Sequence, residues 1–450
     1  MEVLKIELKQ HTPLLHFQHE SVGATLRASE VKPKLDKFLV DKMLSDGCTL
    51  REVKQKYAGW FIRDTDSLNY KLNIEADGRN MNIILGDDGE KKKEDKETHE
   101  IKTYYFLKNF PMLLSNMGGK EKKSELVNLV KHNFIELTFL VANAELKEHI
   151  KKWIERFFAV TNFGQRSSKG FGSFTVKIDD EKEWNKRGYY PQGTPFMSFK
   201  YLNDRTIFDV IDFYWKCLKA GINYTQNKRY KERYIKSFLY VYLNNMENPT
   251  TWEKKEIKET FHLGRNDGTV HKENPNPATF ARGILGCPDK YSYGSREVKV
   301  ENTETEESLK IDRIPAPIYF KPVCLKKENG KKYVRVYILF DDEVIEKLAK
   351  TKNKTFEFTL NNRRMTLDLN MFLNKDNYKK FINAYSDYLC NDPKVVKSLF
   401  YGIDKTIFGY QSAGQSAKSK VFIPRNHKWF NIMNGDKLSE KEKCVMLFNV

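Results

Sequence analysis

The chain has 450 residues, 40% hydrophobic and 31% charged, with 78 Lys and Arg against 60 Asp and Glu and a formal charge of +18. That length allows about two to three domains, and no window approaches the roughly 18 uninterrupted apolar residues of a membrane span, which excludes a spanning helix. The positive excess implies a polyanionic partner, nucleic acid before an acidic membrane because no basic amphipathic helix stands out, although a generically basic surface gives the same count.

The opening MEVLKIELK alternates as a strand and lacks the basic, apolar and small-residue succession of an export signal, so a soluble, cytoplasmic protein is expected. After a polar bend around Pro13, Val31, Leu35, Phe38, Leu39 and Met43 fall on one face of a first helix. Residues 68 to 74, LNYKLNI, alternate again. GDDGEKKKEDKETHE (86 to 100) has no apolar anchor and reads as a solvated, mobile excursion at a hairpin tip. FIELTFLVA (134 to 142) is a strand, and 145 to 160 a helix burying Leu146, Ile150, Trp153, Ile154, Phe157 and Phe158. A glycine-rich loop and the strand FTVKI (174 to 178) follow. Strand, helix, strand, strand, helix, strand is the split βαβ order of a ferredoxin-like sheet with both helices on one side.

Residues 206 to 263 read as helical, with IFDVIDFYWKCLKAG and RYKERYIKSFLYVYLNNM clearest, flanked by polar loops at 264 to 277 and 294 to 312. Strand patterns return in IPAPIYFKPVCL, YVRVYILF and KTFEFTL, before a helix at 376 to 389 and a polar segment at 409 to 420. The expected organisation is a ferredoxin-like domain over 1–185, a helical insertion and linker over 186–310, and a second α/β domain over 311–450. Cys48, Cys217, Cys287, Cys324, Cys390 and Cys444 form no C-x-x-C pair, so neither a zinc site nor a disulfide framework is expected, and no cofactor is implied.

The loop NFGQRSSKGFGSF (162 to 174) concentrates Gly164, Gly170 and Gly172 with Arg166 and Lys169. Three glycines leave a surface without side chains, where another backbone can come close. With two cations that suits a phosphate chain, and an ordinary tight connection before a strand uses the same residues. It is not a P-loop: Lys169 precedes Gly170 and no G-K-[ST] follows at Walker spacing. Phe171 either stacks on a base or plugs the core. Arg27, Lys32 and Lys34 start the first helix, where backbone N–H groups and the dipole favour anions, although a solvated helix face explains the lysines equally well.

In KRYKERYIK (228 to 236), Lys228, Arg229, Lys231 and Arg233 interleave with Tyr230 and Tyr234, a mix that single strands favour. The tyrosines, four apart, equally suit packing on one helical face. His11, His16 and His19 cluster near the amino terminus but lack a fourth donor for a metal, and HExxH is absent.

NFGQRSSKGFGSF resembles the G-x-R-x-x-x-G-[FY]-G loop of the RAMP superfamily of CRISPR-associated proteins, most like the first-named Cmr subunit of type III-B effector complexes. SVGATLRASEVKPKLDKFL resembles the RAMP segment where the first strand hands over to the first helix, and ILGCPDKYSYG and RIPAPIYFKPV are similar to downstream segments. The match covers about half the chain in four islands. The 86 to 100 excursion and the 206 to 263 region lie outside it.

The resemblance implies an α+β fold of two ferredoxin-like (RRM-like) RAMP domains with a helical insertion. It also implies a non-catalytic RNA-binding subunit that meets guide RNA or captured target RNA beside other Cmr-type subunits, slicing belonging to a different subunit. The expected contacts are Arg27, Lys32, Lys34, Gly164, Arg166, Lys169, Gly170, Phe171, Gly172, Lys228, Arg229 and Arg233. The alternative function is a metal-independent guide-RNA-processing endoribonuclease, since some RAMP ribonucleases move protons with a histidine while the 2′-hydroxyl attacks its own phosphate. A stand-alone RNA-binding protein is a third reading.

Overall fold

The computed structural model describes residues 2–15, 25–44, 48–77, 82–83, 90–94, 101–105, 129–201, 204–224, 233–235, 237–244, 251–263, 278–293, 296–303, 313–350, 355–369 and 374–391. It divides into two compact units, Met1–Phe208 with Phe320–Tyr337, and Asp209–Tyr319 with Ile338–Val450. The first unit therefore takes back a segment from late in the chain.

Four antiparallel strands form the first unit's main sheet, in the order Tyr70–Ala76, Ile135–Val141, Glu2–Gln10, Phe174–Val176. The first strand in sequence lies between the third and the fourth, which is the interleaving of a split βαβ unit. Alternation sets the faces: Ile135, Leu137, Phe139 and Val141 are buried, while Glu136, Thr138 and Leu140 between them are half-exposed. Register aligns the neighbouring strand, with Leu4 opposite Phe139 and Leu8 opposite Ile135.

Two 17-residue helices cover the apolar face. Ala28–Leu44 buries Val31, Leu35, Leu39 and Met43, as the spacing predicts, and Ala144–Val160 buries Leu146, Ile150, Ile154, Phe157 and Phe158. Asn143 caps the second helix by accepting from the Leu146 N–H at 2.9 Å. All of these side chains belong to one core cluster, and the Phe38 and Phe157 rings meet across the helices at 5.5 Å.

Glu90–Glu94 pairs antiparallel with Ile101–Tyr105, so part of the expected mobile excursion is itself a strand. Residues 95–100 and the polar segment 409–420 lie outside the described residues. A further sheet orders Phe196–Lys200, Lys332–Phe340 and Ile318–Lys326.

The second unit holds a six-stranded sheet in the order Thr251–Trp252, Ala278–Thr279, Arg363–Asp368, Thr355–Leu360, Arg296–Asn302, Lys290–Tyr293. Its last four strands are antiparallel neighbours, without the interleaving of the first sheet. Four of the six strands come from residues expected to be a helical insertion and linker. RYKERYIKSFLYVYLNNM is likewise not one helix: Arg233–Ile235 pairs with Ile222–Tyr224, and helix begins at Phe238. Ser237 marks that start, its Oγ accepting from the Tyr240 N–H at 3.3 Å. Among the described residues no helix is long and apolar enough to cross a membrane.

Candidate nucleic-acid interface

The glycine-rich loop leaves the second long helix and enters the edge strand Phe174–Val176, and the chain's own backbone closes it. Phe163 N–H donates to Gly172 O at 2.9 Å, Gly172 N–H to Pro13 O at 2.9 Å, and Gln165 N–H to Leu15 O at 2.8 Å. Thr12 Oγ1 donates to Gly170 O and accepts from the Ser173 N–H. Asn162 donates from Nδ2 to Ser167 O and Phe320 O, and the fully buried Lys321 donates to Thr161 O and Phe174 O, both at 2.8 Å.

Of the two readings of the glycines, Gly164 and Gly172 fit the tight connection. A Cβ on Gly164 would lie 2.5 Å from Leu15 O, and one on Gly172 would lie 2.0 Å from Phe163 O. The backbone that comes close is the protein's own. Gly170 has φ +88°, so a β-branched residue there would strain the loop, and loss of RNA binding in Gly170→Val would not separate a ligand contact from misfolding.

Phe171 is fully buried and stacks on Phe208 with ring centroids 4.0 Å apart, so it plugs the core and offers no face to a base. Lys32 is also turned inward, its ammonium 2.8 Å from both Asp36 Oδ2 and Leu68 O and 3.9 Å from the Tyr70 ring centroid. Both leave the set of expected RNA contacts.

Glu30, which sequence reasoning missed, ties the helix start that carries Arg27 and Lys34 to the loop that carries Arg166 and Lys169. Glu30 Oε1 accepts from the Gly164 N–H at 2.8 Å and from Lys34 Nζ at 2.8 Å, and Lys34 also reaches Asn162 O at 3.3 Å. The start of the first helix is thus fastened to the start of the loop. Arg27 is exposed one residue before that helix, and its carbonyl accepts from the Glu30 and Val31 N–H groups. Arg166 and Lys169 are half-buried on the loop, and Arg166 sits at φ +54°, a left-handed conformation that few non-glycine residues adopt. The available signal for Glu30 was its Glu-x-x-x-Lys spacing to Lys34 in the helix's first turn.

The sheet face turned away from the helices carries Val3, Lys5, Glu7 and Lys9, with Lys71, Asn73 and Glu75 and with Glu136, Thr138 and Leu140 on the two neighbouring strands. None is aromatic. Base stacking on the sheet in the RRM manner has no platform on those three strands.

His11 is fully buried, its Nε2 2.7 Å from Thr175 Oγ1 and its Nδ1 accepting from the Cys324 N–H at 3.0 Å. Burial first, and then Lys9, Lys321 and Lys131, hold its pKa well below the ordinary 6.5. The unfolded chain protonates His11 near that ordinary value while the folded chain keeps it neutral, so stability is lost as pH falls below about 6.5. His132 and His149 shift the same way, burial again leading. Urea midpoints should therefore fall between about pH 6.5 and 5, and His11→Asn should flatten the slope by about one proton, ~1.4 kcal/mol per pH unit. An unchanged slope in that variant would mean that His11 titrates normally in the folded protein.

His16, His19, Lys228, Arg229, Tyr230 and Lys231 lie outside the described residues. Arg233 lies on a strand of the second unit, opposite Tyr224.

Family models match two parts of the chain: the Cmr1 N-terminal domain over residues 1–222 and the Cmr1 C-terminal domain over residues 234–398. Among solved structures, the chain is similar to Cmr1 from Pyrococcus furiosus in its apo form, at 11% identity over 76% of this chain and 89% of that one, with a TM-score of 0.35. It is also similar to a chain of the type III-B Cmr-beta complex bound to cognate target RNA and AMPPnP, at 9% identity over 75% of this chain and 94% of that one, with a TM-score of 0.35. No curated protein matches the chain.

Proposed function

The chain belongs to the Cmr1 family, and on that footing we propose that it is an RNA-binding subunit of a type III-B CRISPR effector complex, without a catalytic site of its own. Its partners are guide RNA or captured target RNA and other Cmr subunits, met in the cytoplasm, and its two family domains act as paired RAMP domains. The interleaved sheet supports a ferredoxin-like first domain, whereas the last four strands of the second unit's sheet lack that interleaving.

One observation carries the RNA reading: Glu30 fastens the start of the first helix, which bears Arg27 and Lys34, to the glycine loop, which bears Arg166 and Lys169. Such cations position a sugar–phosphate backbone without reading bases. Arg166 holds a left-handed backbone position where glycine would be easier, an outlier of the kind that clusters at binding sites.

His11 argues against the ribonuclease alternative. A proton shuttle needs a ring nitrogen that reaches substrate and a pKa near the working pH, whereas both His11 nitrogens are engaged inside the protein and its pKa is depressed. Incubated with repeat RNA in chelator, the isolated protein should leave the RNA intact, and the protein drawn from its native complex should carry guide RNA with other Cmr subunits. Chelator-resistant cleavage at one repeat position, lost in a histidine variant, would replace this reading with the nuclease.

A further inference from the structure

A cleft of about 320 Å³ opens on the first unit, reaching the outward-facing Glu7 and Lys9 of the first strand and the Cys324–Lys326 segment. Five of its lining side chains are lysines, Lys9, Lys131, Lys177, Lys326 and Lys332, against two carboxylates, Glu7 and Asp179. Asp179 is shared between two of the lysines. Glu7 takes Lys177 at 2.5 Å, while Asp179 takes both Lys9 at 2.6 Å and Lys326 at 3.6 Å. Burial works to raise the Asp179 pKa, but Lys9 and Lys326 outweigh it and hold the carboxyl below its ordinary value. Lys131 is paired from behind by Asp204 at 2.6 Å.

That leaves positive charge unneutralised at the mouth. Lys332 is exposed and makes no ion pair among the described residues, and Lys326 is about half-exposed with Asp179 at the outer limit of pairing. His132, 5% exposed, also lines the cleft, but burial lowers its pKa and its Nδ1 lies 3.3 Å from Asp77 O, so the neutral ring presents Nε2 as an acceptor and the lysines alone supply the anion contact.

We infer that this cleft is a second phosphate-binding subsite of the first unit, taking a phosphodiester of the RNA strand on Lys326 and Lys332. The inference rests on the RNA-binding reading and adds a site distinct from the corner made by the glycine loop and first helix. The lysine-lined cleft would extend the strand's path to the helix-free side of the sheet, where the three strands offer no aromatic platform and the tyrosine lining the cleft, Tyr201, bonds Asp204 through its hydroxyl.

The test is the double variant Lys326→Glu/Lys332→Glu of the full chain, both positions being exposed enough to preserve folding. Its affinity for a ~30-nucleotide single-stranded RNA should weaken roughly tenfold at low salt, and its log K against log salt slope should shrink by about 0.7 for each phosphate no longer neutralised. Unchanged affinity and slope, with wild type binding normally, would overturn the subsite and leave the RNA reading intact. Melting temperatures in inorganic phosphate and in chloride at equal ionic strength provide a second arm, since an anion that binds only the folded state stabilises it. A phosphate-specific rise that the double variant loses, with RNA affinity unchanged, would assign the cleft to free phosphate and overturn the strand contact. Should wild type bind no RNA, the RNA reading fails, and the phosphate arm alone decides: a rise lost in the variant upholds a phosphate site, and its absence overturns it.

Discussion

Gly172→Ala should destabilise the first unit by about 3–5 kcal/mol, whereas Gly188→Ala should cost only about 1 kcal/mol. The two glycines have nearly the same left-handed backbone, φ +60° and +59°, so conformational strain is matched. Their surroundings differ. A Cβ on Gly172 would lie 2.0 Å from Phe163 O and 3.0 Å from Leu14 Cδ1, while one on Gly188 meets nothing within 4 Å. The clash at Gly172 is with backbone, and that backbone is fixed because Phe163 N–H donates to Gly172 O and Gly172 N–H to Pro13 O. Relief would require breaking the closure of the loop. Urea unfolding of both variants checks this, and equal losses would show that the loop is not closed by its own chain as described.

Glu253→Ala should cost the second unit about 3–5 kcal/mol, while the double variant Glu253→Leu/Arg282→Met should recover most of that loss. Glu253 is fully buried and bonds Arg282 Nε, and the Arg282 guanidinium lies 4.4 Å from the Tyr291 ring centroid. Burial opposes the charge on Arg282, yet Glu253 and Tyr291 together raise its pKa above the ordinary value. Removing only the carboxylate leaves a guanidinium in apolar surroundings without its counter-charge. Removing both leaves an apolar contact of similar volume. The measurement is the unfolding midpoint of the second unit in the single and double variants, and a single variant as stable as wild type would show that the pair is not buried in solution.

Much of the first sheet was legible in the sequence because its signals are local. The alternation in VLKIELK and IELTFLV and the spacing of Val31, Leu35, Leu39 and Met43 each specify an element and the face it buries. The region between 186 and 310 was harder. REVKVEN alternates Val298 and Val300 with charged residues, a half-buried strand pattern masked by its overall polarity. Tyr230 and Tyr234 share a helical spacing, but Arg233–Ile235 is short, aromatic and β-branched, and pairing with Ile222–Tyr224 decides its state.

At the candidate site, residue types were legible and their partners were not. Gly164, Gly170 and Gly172 announced a special backbone, but nothing local says that Leu15 O and Phe163 O fill the space beside two of them. Lys321 stands out in IYFKPVCL as one cation in an apolar strand, and only the fold shows that it holds Thr161 O and Phe174 O. Lys32 and Lys34 read alike in sequence, yet Lys32 turns in to Asp36 and Leu68 O while the more exposed Lys34 holds Glu30 and Asn162 O beside the loop.

The most direct test of the central claim is a titration of a ~30-nucleotide single-stranded RNA at several salt concentrations, with wild type, Arg27→Glu and Arg166→Glu, and melting temperatures taken in parallel. Wild-type affinity should fall steeply with salt, and each charge reversal should weaken binding roughly tenfold and flatten the salt slope, the parallel melting temperatures separating a lost contact from a lost fold. RNA affinity that ignores salt, or that both variants retain in full, would contradict an RNA-binding corner built from the first helix and the glycine loop.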